Sequence, residues 1–346
     1  MSTSTTTTSN GTASGNGARA LLDRIGPQMP YLILPLMALL GLVLMGSVST
    51  WVTLTVAGLA MGMMIFIMAS GLTLVFGLMD VLNFGHGAFI SVGAFVGASV
   101  ILLFPEMIET NSLLSNLAVV IPAIIAAMIV TGGLGYFFER VIVKPVYGAH
   151  LKQILVTMGG LIVAEQLIHV VWGPDEIPLP RPAAFAGSYG FGEIAFEKYR
   201  LLAVILGLAI FFALRFVLAR TKLGLLIRAG VENGEMVEAL GYRVRMVFLL
   251  VFIAGSALAG LGGVMWGMYE EVVTAGMGLE VLILIFIVVI IGGLGSVEGC
   301  FLGALMVGLM ANYTGYLVPK VALGSNILLM VMVLMWRPRG LFPVGK

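Results

Sequence analysis

Ten apolar runs separated by short polar segments constrain this chain more than any other feature. A helix needs about 20 apolar residues to cross the hydrocarbon core of a bilayer, which is about 30 Å thick. The candidate spans are 31–48, 52–77, 85–104, 117–138, 154–172, 201–218, 247–268, 279–295, 301–317 and 325–336. Because backbone polar groups in lipid must be satisfied within the chain, these runs are helices. Several are short, so the pattern predicts an all-α polytopic membrane protein with about 8–10 transmembrane helices.

The composition is that of a chain whose main solvent is lipid. Hydrophobic residues make up 60% of the 346 residues and charged residues 10%, whereas soluble domains carry about 25% charged residues. Residues 1–28 are rich in Ser, Thr, Asn and Gly without apolar periodicity, which predicts a disordered polar tail before a single transmembrane domain at 29–346. The one cysteine, Cys300, excludes an intramolecular disulfide and disfavours a cysteine-based metal site.

The distribution of charge predicts an orientation. With the tail in the cytoplasm and one crossing per span, the inner segments are 1–30, 78–84, 139–153, 219–246, 296–300 and 337–346. If Arg215 is counted at the inner end of its helix, these segments hold all of the 18 Lys and Arg residues except Arg181, Lys198, Arg200 and Lys320. Such an excess of cations on one side is what the positive-inside rule describes. Both termini are therefore expected in the cytoplasm.

The apolar run 71–97 is interrupted by Asp80, Asn83 and His86 and punctuated by glycines. Glycine lets the backbone leave helical geometry, and a broken helix at membrane depth has to face a protein cavity rather than lipid. The run therefore predicts a broken or re-entrant segment. In one interpretation these polar side chains line or gate a solute path. In the other, they cap a helix–turn–helix break at the inner interface.

Two further ionisable residues, Glu165 and His169, stand four positions apart in the span 154–172. A charge at the middle of an isolated membrane helix costs about 2.5–3.5 kcal/mol on insertion scales. Both side chains are therefore expected to face the protein. Glu165 either joins neighbouring helices or contacts a proton or the solute, whereas His169 is closer to the outer interface.

The inner loop 219–246 predicts an amphipathic helix. Four apolar residues recur in it at roughly helical spacing: Leu225, Val231, Val237 and Leu240. A narrow apolar stripe of this kind is buried either on the membrane surface or in a groove of a partner protein. Because Glu232, Glu235 and Glu238 would be repelled by anionic headgroups, the partner protein is favoured.

Small residues suggest close helix contacts near the end of the chain. Gly299, Gly303 and Gly308 form a small-residue face that serves either packing within the chain or a subunit interface. Gly–Ala steps at 93–94 and 303–304 hint at a diverged internal repeat, which is common in transporters.

The sequence lacks the catalytic motifs GxSxG and HExxH, and its three histidines lie far apart. It also lacks the phosphate-binding motif GxxxxGK[ST], so any ATP hydrolysis belongs to another chain. We therefore expect neither an enzyme nor a cofactor.

Five ordered motifs carry a family resemblance. The run 71–97 supplies Gly71, Leu72, Leu74, Phe76, Gly77, Val81, Asn83, Phe84, His86, Gly87, Gly93, Ala94 and Phe95. The other motifs are FERVIVKPV at 138–146, TKLGLLIRAGVENGEMVEALG at 221–241, GGLGSVEGCFLGALMVG at 292–308 and RPRGLF at 337–342. From about residue 52 to 342 the chain resembles the branched-chain amino-acid permeases of ABC transporters. It departs from the family pattern at Asp80, where glycine is usual, and at Ala88, where an acidic residue is common.

The resemblance implies half of the pore of an ATP-driven importer in a bacterial inner membrane. Its solute would be a branched-chain amino acid or a related small polar compound such as urea or an amide. It also implies a second homologous permease, two cytoplasmic ATP-binding subunits and an external solute-binding protein.

The segment from Glu238 to Gly241 is similar to the loop that docks on the ATP-binding subunit in such transporters, with Gly241 permitting a turn. The candidate coupling residues are Val231, Glu235, Val237, Glu238, Ala239, Leu240 and Gly241. The candidate pathway residues are Asp80, Asn83, His86 and Glu165. The alternative function is a stand-alone secondary transporter coupled to protons, which the partner-seeking helix disfavours.

Overall fold

The computed structural model describes residues 29–192 and 194–343, so the predicted disordered tail at 1–28 lies outside the described residues. The helices are α1 (Met29–Met45), α2 (Val48–Met79), α3 (His86–Ile101), α4 (Pro105–Glu109), α5 (Leu113–Phe138), α6 (His150–Trp172), α7 (Lys198–Arg220), α8 (Lys222–Ala239), α9 (Val244–Glu270), α10 (Met277–Gly292), α11 (Val297–Leu317) and α12 (Ala322–Trp336). The short strands are β1 (Ile177–Pro178), β2 (Ser188–Phe191), β3 (Ile194–Glu197) and β4 (Val272–Val273). A π-helical turn at Glu139–Val143 and a 3₁₀ turn at Lys144–Val146 follow α5, and a second 3₁₀ turn at Pro319–Val321 precedes α12.

Each predicted span corresponds to one helix, and the all-α polytopic fold is confirmed. In the described part of the chain, 6 helices are long and apolar enough to cross a membrane: α2, α5, α6, α7, α9 and α11. Four shorter apolar helices, α1, α3, α10 and α12, account for the remaining predicted spans. The short α4 and the polar α8 lie outside the predicted spans.

Helices α2 and α9 form the centre of the bundle and cross where Gly71 meets the backbone of Gly255. Helix α11 packs on α2 in the same way, with Gly308 against Gly62. At each crossing a methyl group would meet backbone atoms, so only glycine permits this approach. Gly299 and Gly303 contact α10, so the small-residue face of 292–309 packs within the chain.

The charged segments gather at the two ends of the bundle as the charge count predicts. Asp80, Tyr147 and Arg339 line one cavity at one end, and Glu139 and Arg243 line a neighbouring groove. At the other end, Glu197 pairs with both Arg181 and Arg200. We call these the inner and outer ends, after the predicted orientation.

Candidate functional site

The predicted break in the run 71–97 is confirmed and is re-entrant. Helix α2 ends at Asp80, which adopts a left-handed conformation (φ 52°) and donates its N–H to Phe76 O at 2.9 Å. The chain then turns back along α2, because His86 Nε2 lies 2.9 Å from Met68 O. Met68 precedes Asp80 by 12 residues, or about 18 Å of helix. Helix α3 therefore begins beside the interior of α2, a helix long enough to cross a membrane, rather than beside its end.

A second break, at 271–276, repeats this backbone path. Glu271 ends α9 with φ 59°, and it shares a positive φ only with Asp80 among the described residues other than glycine. Asp80 lies six positions before the first residue of α3, and Glu271 lies six positions before the first residue of α10. Both α3 and α10 have 16 residues. The N-caps Gly85 and Gly276 are both right-handed. The internal repeat thus aligns Gly85 with Gly276.

The repeat suggested by the Gly–Ala steps at 93–94 and 303–304 is therefore wrong in register. The repeated unit is a backbone turn that starts at an acidic residue in both copies, Asp80 in one and Glu271 in the other. The same alignment also pairs Gly87 with Gly278, so the sequence does carry a signal for it.

The two half-helices meet at their N-terminal ends in the middle of the bundle. Helix α2 runs toward the inner end and α9 toward the outer end, so the breaks open on opposite sides. Gly87 of α3 contacts Gly278 of α10 through its carbonyl oxygen. The hydroxyl of Ser91 accepts from Gly278 N at 3.0 Å and donates to Ala275 O at 2.8 Å. Inverted repeats with broken helices at mid-membrane are characteristic of transporters.

One face of α6 lies along this junction, because Thr157, Leu161 and Glu165 follow each other at intervals of four residues. Thr157 Oγ1 accepts the N–H of Phe84 at 3.2 Å. Leu161 packs with side chains of α3 and α10. Glu165 Oε1 lies 3.8 Å from the point that a methyl group on Gly276 would occupy. A carboxylate at this position faces the positive end of the α10 dipole.

The predicted pathway residues occupy three different places. Asn83 and His86 are each 1% exposed within the first break. Among the described residues, no hydrogen-bond partner reaches Asn83 Oδ1. Glu165 lies partly exposed beside the second break. Asp80 lies at the inner end, in the wall of a cavity of about 900 Å³. Their roles in transport stay predictions.

This cavity opens below the first break, between the ends of α2, α9, α10 and α12. Tyr147 forms part of its wall and donates its hydroxyl to Glu139 Oε1 at 2.6 Å. Burial, and secondarily the Glu139 carboxylate, raises the pKa of Tyr147 above its usual range. The phenol therefore stays protonated and neutral at physiological pH.

The second break is covered by residues 177–181 of the outer segment, whose role sequence reasoning missed. Arg181 donates from Nε to Met268 O at 2.9 Å and from Nη2 to Tyr269 O at 2.7 Å. Its guanidinium also pairs with Glu197 at 2.8 Å and Glu271 at 3.1 Å. Strand β1 pairs with β4 inside the break. Carbonyls at a helix end need such donors, and here one arginine supplies them.

The predicted coupling helix is present as α8, but it is kinked. Asn233 has non-helical angles (φ −156°, ψ 87°), and its Oδ1 accepts Met236 N at 3.0 Å, which starts a second helical piece. The kink divides the predicted apolar stripe, with Leu225 in the first piece and Val237 in the second. Val237 is buried, whereas Leu225 and Leu240 are 63% and 72% exposed. The side chain of Val231 lies outside the described part.

The other coupling candidates are exposed at the inner end. The exposed set is Glu235, Glu238, Ala239, Leu240 and Gly241. Gly241 has φ 88° and donates its N–H to Glu238 O at 2.9 Å, so the predicted turn after the helix is confirmed. Glu235 and Glu238 border a groove that also carries Arg140 and Lys144. The groove is thus charged with both signs.

The motif at 337–342 closes the inner end of α10. Leu341 N donates to Ile291 O at 2.9 Å, and Phe342 N donates to Gly292 O at 3.0 Å. Gly293 and Gly340 touch with positive φ. These contacts satisfy carbonyls that the end of a helix leaves free.

Comparison with known proteins assigns the family. The family described as branched-chain amino acid transport system / permease component matches residues 54–336. The chain is 29% identical to the high-affinity branched-chain amino acid transport system permease protein BraD of Pseudomonas aeruginosa, over 83% of this chain and 94% of that protein. It is 26% identical to the corresponding protein LivH of Escherichia coli, over 82% and 92%.

A more distant relative is the probable branched-chain amino acid transport permease protein LivM of Methanocaldococcus jannaschii, at 25% identity over 80% of this chain and 90% of that protein. No solved structure matches the chain. Because the family match covers most of the chain, from α2 to the end of α12, the protein belongs to the family of permease components of branched-chain amino acid transport systems.

Proposed function

We propose that this protein forms half of the pore of an ATP-driven importer for branched-chain amino acids or a related small polar solute. The observation that carries the proposal is the meeting of two half-helices at membrane depth, within a family of transport permeases. Half-helix N-termini at the midplane are where transporters bind charged parts of their solutes. A second permease, two ATP-binding subunits and an external solute-binding protein complete the machine.

The two breaks act as alternating gates in this proposal. The outer segment covers the second break, while the first break opens onto the inner cavity. This asymmetry supports an inward-facing state. Import requires the reverse arrangement as well, reached by rigid movement of packed helices between discrete positions.

An amino acid suits the junction electrostatically. The N-terminal ends of α3 and α10 carry partial positive charge that favours a carboxylate. Glu165 offers a negative charge nearby for an ammonium group. Asn83 Oδ1 is an acceptor without a protein donor among the described residues, and it is available if the first break opens.

The direct experiment is uptake of radiolabelled leucine into proteoliposomes containing all subunits, with the solute-binding protein outside. We expect uptake that requires ATP inside and stops with a non-hydrolysable analogue. Uptake driven by a proton gradient in vesicles containing this chain alone would instead establish the secondary-transporter function.

The coupling role of α8 is tested by the double variant Glu238→Arg/Gly241→Asp. The charge reversal alters the docking surface, and Asp is strained at φ 88°. We expect loss of transport and of co-purification with the ATP-binding subunit, with normal membrane insertion. Gly234→Ala is the matched control, because a methyl group there meets open space. Unchanged co-purification of the double variant would disprove the assignment.

A further inference from the structure

The groove beside α8 and the inner cavity share one wall. Tyr147 and Phe248 line both spaces. The Tyr147 side chain is 42% exposed between them, and its hydroxyl is held by Glu139, which is only 6% exposed. Glu139 is also the first residue of the π-helical turn, and such turns occur frequently at functional sites. A movement of α8 that changes the shape of the groove therefore acts on the Tyr147 ring.

From Tyr147 the contacts continue into α6. The carbonyl of the preceding residue, Val146, accepts from Gln153 Nε2 at 3.2 Å. One turn further along α6, Thr157 donates its hydroxyl to Gln153 O at 2.7 Å. The same hydroxyl is the acceptor of the Phe84 N–H in the first break. Hydrogen bonds and short stretches of chain thus lead from the groove beside α8 to the first break.

Two buried acceptors along this series lack a hydrogen-bond partner within the described part of the chain. They are Gln153 Oε1 and Asn83 Oδ1, whose residues are each 1% exposed. Asn83 directly precedes Phe84. A buried acceptor without a donor is costly, and proteins keep few of them. Their presence favours a second arrangement of the same residues in which both acceptors gain donors, as expected of a segment that changes between two states.

We propose that this series transmits movement of α8 to the first break, and that Tyr147 and Gln153 are its positioning residues. The proposal rests on the proposed function, in which ATP-binding subunits move α8. A displaced Tyr147 pulls on the start of α6 through Gln153, and Thr157 then moves relative to the Phe84 N–H. The first break opens or closes in step with ATP hydrolysis. We call the series the relay (Glu139, Val146, Tyr147, Gln153, Thr157 and Phe84).

The test compares Tyr147→Phe with Tyr136→Phe in proteoliposomes that contain all subunits. The first variant removes the hydroxyl bonded to Glu139, and the control removes a hydroxyl from a side chain that is 44% exposed on α5. Leucine uptake and ATP hydrolysis are both measured, and their ratio is the number of leucine molecules moved per ATP. We expect Tyr147→Phe to lower this ratio about tenfold, within the usual range of coupling between sites. ATP hydrolysis and co-purification of the ATP-binding subunit should be retained, and the control should keep the ratio.

Gln153→Met tests the second bond with a side chain of similar length that has no amide. It should also lower the ratio. Because residues of one network do not act additively, Tyr147→Phe combined with Gln153→Met should lower the ratio no further than the stronger single variant does. Additive losses would place the two residues on separate paths and contradict the relay.

Thermal unfolding of each variant separates positioning from a merely structural role. An unchanged ratio in both single variants would overturn the relay. So would a ratio that falls only together with the unfolding temperature and the co-purification. Absent or ATP-independent uptake by the unsubstituted transporter would refute the proposed function instead. The two failures are therefore distinguishable.

Discussion

The two breaks share a backbone path but are held by different neighbours. The second break is held by Arg181, by the pairing of β1 with β4, and by the bond from Leu179 N to Glu271 O at 2.9 Å. The first break relies on the Thr157 hydroxyl and on the His86 ring, and below it lies open space. One repeated unit thus forms a covered end and an open end. The surrounding segments, rather than the half-helices, determine which end is covered and which end is open.

The largest expected effect is that of Arg181→Leu. The substitution removes charged donors from Met268 O and Tyr269 O, where each such bond contributes about 1.5–3 kcal/mol. We expect a loss of about 3 kcal/mol in the free energy of unfolding, measured by thermal and denaturant unfolding in detergent. Lys320→Leu removes a cation from the same predicted side and should leave stability unchanged.

The same variant should open the second break. A cysteine replacing Val273, which is 0% exposed, should react with an impermeant maleimide only when Arg181→Leu is also present. Equal labelling with and without the arginine would show that Arg181 does not hold this end closed.

Gly278→Ala should have the next largest effect and disturb both breaks together. A methyl group at this position meets the carbonyl oxygen of Gly87 and the Ser91 hydroxyl. Overpacking of this kind costs about 2 kcal/mol, read as a lower unfolding temperature. Gly159→Ala on α6, where a methyl group meets open space, is the control. Equal stability of the two variants would mean that the half-helices do not touch.

Thr157→Val tests the restraint on the first break. It removes the acceptor of the Phe84 N–H, a bond that contributes about 1 kcal/mol. Thr157→Ser keeps the hydroxyl and should retain full stability. A loss as large as that of Arg181→Leu would contradict the difference between the two ends.

The smallest effect is expected for Arg215→Ala. Its contact with Glu298 is 3.6 Å long, and the two side chains are 59% and 44% exposed. Exposed pairs contribute less than about 1 kcal/mol, so unfolding should be nearly unchanged. A large loss of stability in this variant would show that removing a charge is sufficient to destabilise the protein. The effect of Arg181→Leu would then not require the loss of its hydrogen bonds to the carbonyls at the end of α9.

The sequence predicts the helices well because polar segments separate the apolar runs, and 6 of the described helices are long enough to cross a bilayer. It predicts the first break because Asp80, Asn83 and His86 interrupt one run. The second break escaped detection because Glu271 and the following residues resemble an ordinary outer loop. Ser91 and Thr157 carry no signal, since their backbone partners lie 187 and 73 residues away in the chain. The kink at Asn233 was not predicted, because the apolar residues on both sides of it recur at helical spacing.

The length of α9 has a mechanical consequence. This helix has 27 residues, begins at Val244, close to the turn at Gly241, and is capped by Glu271. A helix of that length is a lever about 40 Å long, so tilting it by about 10° displaces the far end by about 7 Å. A small tilt of α9 at its inner end is therefore geometrically sufficient to displace the carbonyls that accept hydrogen bonds from Arg181.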